Sequence, residues 1–117
     1  MGTLKRTAPI FAVSDLGRSL AFYKRMGFAV REYAGGGYGF ATRDGVELHL
    51  GVVPDSRDRN SAYVFVDDAA SVADEWRAAG VAVHDPQGTE WGQFEGAVED
   101  PDGNVIRFGS PMHNADG

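Results

Sequence analysis

The stretch "VELHLGVV" (46–53) places a carboxylate, Glu47, two residues from an imidazole, His49. Alternate residues of an extended strand share a face, so Glu47, His49 and Gly51 stand side by side. A carboxylate–imidazole pair suits general base chemistry on an acidic proton, whereas a single imidazole makes no metal site. The plainer reading of His49 is a hydrogen-bonded histidine on a partly buried strand. Two further groups follow from the same alternation. Ser61, Tyr63 and Phe65 share a face of "SAYVF" (61–65), and Val105, Arg107 and Gly109 share a face of "VIRFG" (105–109). Arg107 is a lone cation between Ile106 and Phe108, pointing either to solvent or into a site.

Other chemistries lack their signatures. Ser61 beside Asn60, and Ser110 near His113, have no nucleophile-elbow context, and no G-x-S-x-G occurs. "GGGYG" (35–39) is followed by no Lys-Ser/Thr and does not join a strand to a helix, so it reads as a hairpin rather than a phosphate loop. The chain has no cysteine, which removes disulfides, thiolate metal sites and cysteine nucleophiles. His84, in the candidate loop "VAVHDPQ", and His113, in the tail, read as solvated.

The elements that must position these residues follow from composition and turn chemistry. A length of 117 residues with 43% hydrophobic content suits one domain. No apolar run approaches a membrane span and no signal-type segment is evident, which predicts a cytoplasmic protein. Seventeen acidic against eleven basic residues give a net charge of −6, which disfavours a phosphate-backbone binder and suits a cationic ligand. Neither "KRTAP" nor "SRDRN" forms a basic stripe with interleaved aromatics, so no nucleic-acid partner is expected.

"APIFAV" (8–13) reads as a strand, Ser14 and Asp15 as N-cap candidates, and "LGRSLAFYKRM" as an amphipathic helix stopped by Gly27. Three strands follow, turned at Gly35 to Gly37 and at Asp44-Gly45. The plan then repeats. Val13, Asp15, Tyr23, Lys24, Gly27 and Phe28 are matched, 53 residues on, by Val66, Asp68, Trp76, Arg77, Gly80 and Val81. Asp44-Gly45 corresponds to Asp102-Gly103 at an offset of 58, so about five extra residues fall around "QGTEWGQFEG". The expected fold is α+β: two βαβββ repeats forming curled mixed sheets around a cavity, with helices on the outer faces. Its units span about 8–53 and 61–109, joined by a linker at 54–60 and followed by a tail at 110–117.

Paired βαβββ units opening on "VSDLGRSLAFYKRMGF" and closing on "EDPDGNVIRF" resemble the vicinal oxygen chelate superfamily, which includes glyoxalases, extradiol dioxygenases and bleomycin-resistance proteins. "TEWGQFEGAVEDPDGN" is most similar to the bleomycin-resistance branch. The resemblance implies four inward-facing metal-ligand positions, which fall on Ala8, His49, Ser61 and Arg107. A methyl group, a weak hydroxyl ligand and a cation stand at three of them, so the metal chemistry is expected to be lost and the cavity kept. No cofactor is expected.

By the same resemblance, the cavity wall comprises Tyr38, Glu47, His49, Gly51, Tyr63, Trp91 and Arg107, with Tyr38, Tyr63 and Trp91 as stacking rings. Phe22, Tyr23, Phe65 and Trp76 are assigned to the core. Glu47, Glu90, Asp55 and Glu95 are candidates to attract a cation. The implied function is sequestration of an aromatic, bleomycin-like and cationic antibiotic in clefts of a homodimer. The alternative is a lyase, isomerase or dioxygenase of the same superfamily, metal-free if Glu47 or His49 serves as base.

Overall fold

The structure is a computed structural model that describes residues 1–112. His113 lies outside the described residues. The first unit runs β1 (Ile10–Val13), α1 (Leu16–Arg25), β2 (Ala29–Glu32), β3 (Tyr38–Arg43) and β4 (Val46–Val52). The second runs β5 (Ser61–Phe65), α2 (Ala69–Ala78), β6 (Val83–Gly88), β7 (Gln93–Glu99) and β8 (Val105–Pro111).

Each unit forms one four-stranded sheet, in the orders β1-β4-β3-β2 and β5-β8-β7-β6, and neither closes into a barrel. In both, the first strand pairs in parallel with the last, and the remaining pairs are antiparallel. The repeat read from sequence is therefore a repeat of topology.

Local signals explain the elements. Asp15 caps α1 by accepting a 3.0 Å hydrogen bond from the Arg18 N–H, and Asp68 caps α2 through the N–H groups of Ala70 and Ser71. Gly27 and Gly80 end the helices at φ values of +88° and +84°, in the left-handed region glycine adopts without a Cβ penalty. Ser14, the other cap candidate, instead donates its hydroxyl to Asp102 Oδ1 at 2.6 Å.

Core-facing residues alternate along the strands. Leu48 and Leu50 of β4, Ala41 of β3, Val98 of β7, and Ile106 and Phe108 of β8 are buried with Phe22, Tyr23 and Trp76 of the helices in one cluster. Phe65 departs from expectation: it is 78% exposed. Ala62 and Val64 take the core side of β5, and strand parity turns Phe65 to the opposite face with Tyr63.

Two other boundaries move. His84 lies in β6 rather than a loop, in a strand whose register shifts between His84 and Gln87 and so accommodates Asp85 and Pro86. The second unit continues to Pro111, because Ser110 is buried and its Oγ accepts from the Ala69 N–H at the start of α2. Among the described residues no helix is long and apolar enough to cross a membrane.

Candidate ligand-binding faces

On the first sheet, the face opposite the core carries Tyr38, Phe40, Glu47, His49 and Gly51. Tyr38 pairs with Gly51 and Phe40 with His49 across β3 and β4. His49 is held at both nitrogens: Nε2 lies 2.9 Å from Glu47 Oε2 and Nδ1 2.8 Å from the Tyr38 hydroxyl. A carboxylate only accepts, so in the neutral ring Nε2–H donates to Glu47 and Nδ1 accepts from Tyr38.

The hydrogen bond to His49 and the nearby Arg6 guanidinium, 3.4 Å from Oε1, hold the Glu47 carboxyl below its ordinary pKa. The Tyr38 ring passes beside Gly51, where an added Cβ would stand 3.5 Å from the ring. Phe40, Glu47 and His49 border a recess of about 310 Å3 that also includes Arg6, Arg31 and Thr42.

On the second sheet, the corresponding face carries Tyr63, Phe65, Glu95 and Arg107, with Trp91 on the turn before β7. Tyr63 is in register with Arg107, and its ring lies 4.9 Å from that of Phe65. It passes over Gly109, where any Cβ would collide with its hydroxyl. Glu95 is the hub. Its side chain is only 10% exposed, its Oε2 accepts from Trp91 Nε1 at 3.3 Å, and Arg107 Nη1 lies 3.6 Å from its Oε1. Desolvation and then the hydrogen bond to Glu95 raise the Tyr63 pKa. Trp91 remains 69% exposed although its indole nitrogen is anchored.

The seven expected ligand residues thus fall into two groups: Tyr38, Glu47, His49 and Gly51 on one sheet, and Tyr63, Trp91 and Arg107 on the other. Among the described residues, no hydrogen bond, ion pair or ring contact of these side chains joins the groups. Arg107 lies on the ring-bearing face, in register with Tyr63, and its side chain is 60% exposed. Phe40 and Arg31 were missed. Counting two residues on from Tyr38 would have found Phe40. Arg31 needed the β2–β3 register, which pairs it with Phe40 and sets its guanidinium carbon 4.0 Å over that ring.

Of the acids expected to attract a cation, Glu47 and Glu95 are engaged by neighbouring donors, while Asp55 and Glu90 are exposed in loops. Among the described residues no group of three or more His, Cys, Asp or Glu could hold a metal ion.

A separate recess of about 290 Å3 lies between the units over Val72 and Trp76. It holds none of the expected ligand residues, although Phe65 borders it.

A model of the glyoxalase/bleomycin resistance protein/dioxygenase superfamily matches residues 3–108. The bleomycin resistance determinant encoded on transposon Tn5 superposes with a TM-score of 0.83 at 23% identity, covering 94% of this chain and 100% of that one. A bleomycin-binding protein complexed with bleomycin gives 0.82 at 24% identity, covering 93% and 100%. The bleomycin-binding protein of Streptomyces verticillus, complexed with copper(II)-bleomycin, gives 0.81 at 22%, covering 96% and 100%. At these identities the likeness is one of fold. No curated protein matches the chain in sequence.

Proposed function

Because the chain belongs to the glyoxalase/bleomycin resistance protein/dioxygenase superfamily, we propose that it is a cytoplasmic binding protein that sequesters an aromatic, bleomycin-like natural product without altering it. The observation that carries this reading is the second-sheet face. Tyr63, Phe65 and Trp91 present rings to solvent from a rigid strand pair and an anchored turn, where a monomer gains nothing by exposing them. Proteins of the same fold hold bleomycin and copper(II)-bleomycin. The overall charge of −6 favours capture of a cationic ligand.

A second copy of the chain completes the cleft in this reading. Ile10, Tyr63, Phe65 and Trp91 are exposed on strands or turns, and pairing two chains would cover such apolar surface and set a first-sheet face against a second-sheet face. Light scattering is expected to give a mass near twice 12.6 kDa. A strict monomer that still binds ligand would remove the dimeric cleft from the proposal.

One observation favours a second reading. The Glu47–His49–Tyr38 chain of hydrogen bonds can serve as a metal-free general base in which Glu47 orients the imidazole and a substrate proton reaches His49 Nδ1 through the Tyr38 hydroxyl. Titrating the purified protein with bleomycins and planar aromatic antibiotics, then recovering the compound after long incubation, separates the two. Saturable binding with the compound recovered unchanged supports sequestration; a product formed over many turnovers moves the function to catalysis.

A further inference from the structure

The recess on the first sheet has an unbalanced set of polar groups. Its carboxylate, Glu47, is engaged on both oxygens, Oε2 by His49 Nε2 at 2.9 Å and Oε1 by Arg6 Nε at 3.4 Å. The second nitrogen of His49 is taken by Tyr38 at 2.8 Å. If His49 is neutral, Tyr38 donates to it; if it is protonated, Tyr38 accepts from it. Neither state adds a negative charge.

Arg31, by contrast, has no carboxylate partner among the described residues. Its guanidinium sits 4.0 Å over the Phe40 ring, which fixes the cation in place without neutralising it. Thr42 adds a hydroxyl to the same wall. The recess therefore holds two guanidinium groups against one carboxylate, and its unengaged polar atoms are mainly donors.

We propose that this recess receives an acidic group of the ligand, a carboxylate or a phosphate, and that Arg31 determines that preference. The proposal rests on reading the sheet faces as ligand-binding surfaces. It adds an acidic group to a ligand that the net charge of the chain alone would make cationic. A guanidinium pre-stacked on an aromatic ring presents its N–H fork to a planar carboxylate with little further loss of side-chain freedom.

The test uses the whole chain and four matched probes: 2-naphthoate, 2-naphthyl phosphate, the uncharged 2-naphthamide and 2-naphthylmethylammonium. Calorimetry is expected to show one of the two acids binding at least tenfold more tightly than the amide, with the ammonium weakest. The stronger acid identifies the group as carboxylate or phosphate. Arg31→Gln should reduce the acid to the level of the amide in a protein whose far-UV circular dichroism matches the wild type, and Arg31→Lys should retain part of the preference. Equal affinities, preference for the ammonium, no binding of either acid, or an acid preference that survives Arg31→Gln would each overturn the proposal. A parallel bleomycin titration keeps the two readings apart. Bleomycin binding without an acid preference overturns only this proposal, and an Arg31-dependent acid preference without bleomycin binding overturns only the bleomycin-like assignment.

Discussion

The hydroxyl of Tyr23, in the helix of the first unit, donates a 2.8 Å hydrogen bond to the buried Asp100 carboxylate at the final turn of the second. Asp100 also accepts from the N–H groups of Asp102 and Asn104, both at 2.9 Å, and from Asn104 Nδ2 at 3.0 Å. Asn104 Nδ2 in turn donates to the Ala12 carbonyl. The "DPDGN" turn is thus a staple between the two units. Tyr23→Phe removes one donor from a buried charge and should cost about 1–3 kcal/mol in urea unfolding.

The same pair sets an alkaline limit. Burial, then the charge and hydrogen bond of Asp100, raise the Tyr23 pKa far above its ordinary value. A phenol with a raised folded pKa contributes stability that is fully present below its unfolded pKa of about 10 and lost above it. Between that pH and the folded pKa, the unfolded chain releases a proton that the folded chain keeps. Wild-type stability should therefore fall by ~1.4 kcal/mol per pH unit above pH ~10 from this residue alone. Tyr23→Phe should lack that component, and equal slopes for the two proteins would refute the assignment.

A second joint links the units through Arg43. Its guanidinium makes two 2.9 Å hydrogen bonds to Glu75 and one of 2.8 Å to the Met26 carbonyl, which also accepts from Trp76 Nε1 at 3.0 Å. Glu75 is half-exposed, so Glu75→Ala should cost no more than about 1 kcal/mol and lose much of its effect in high salt. Arg43→Ala also strips a donor from Met26 and should cost more. Identical losses in the two variants would show that the carbonyl contact contributes nothing.

The caps, glycine stops and paired halves were legible because each is a local signal repeated in sequence. Asp15 and Asp68 cap by their own side chains, and Gly27 and Gly80 adopt the conformations their type allows. Site membership was legible only by alternation. Assigning Phe65 to the core failed because the parity of β5, which sets it beside Tyr63, overrides residue type. His84 was misplaced because "HDPQ" has turn chemistry that an irregular edge strand tolerates. The Glu95 hub and the Arg31–Phe40 stack were beyond reach. Both depend on which side chains meet across strands, and register is fixed by tertiary pairing rather than by any one stretch of residues.

Metal content provides an independent check on the donor set. If the family's four metal-ligand positions fall on Ala8, His49, Ser61 and Arg107, as the resemblance implies, elemental analysis of protein purified without chelators should find no stoichiometric transition metal. His49→Ala should leave that result unchanged. A tightly held equivalent that survives dialysis and disappears with His49 would show that donors outside these positions complete a site.

Gly109 tests whether the Tyr63 ring must lie flat on β8. Gly109→Ala places a methyl group against the Tyr63 hydroxyl and within 3.4 Å of the Phe94 carbonyl oxygen, so the ring has to swing away from Glu95. Binding of a bleomycin-type ligand should weaken severalfold, and Tyr63→Ala in the Gly109→Ala background should add little. Additive losses would mean that the two residues act separately.

Trp91 carries the most direct prediction. Its indole is exposed yet tied by Nε1 to Glu95, so a large aromatic face is held ready at little conformational cost. Stacking on it contributes ~0.5–1.5 kcal/mol beyond the area buried. Together with that area, Trp91→Ala should weaken ligand binding at least tenfold, a loss of ~1.4 kcal/mol. Glu95→Gln keeps the shape and an acceptor oxygen but removes the charge facing Arg107, and it should weaken binding less than Trp91→Ala. Tryptophan fluorescence reports the contact directly, since Trp76 is buried and Trp91 is not. Ligand addition should change the emission of the wild type and leave that of Trp91→Ala nearly constant. A variant that binds with wild-type affinity, or a wild type whose emission ignores a saturating ligand, would take this ring out of the binding surface.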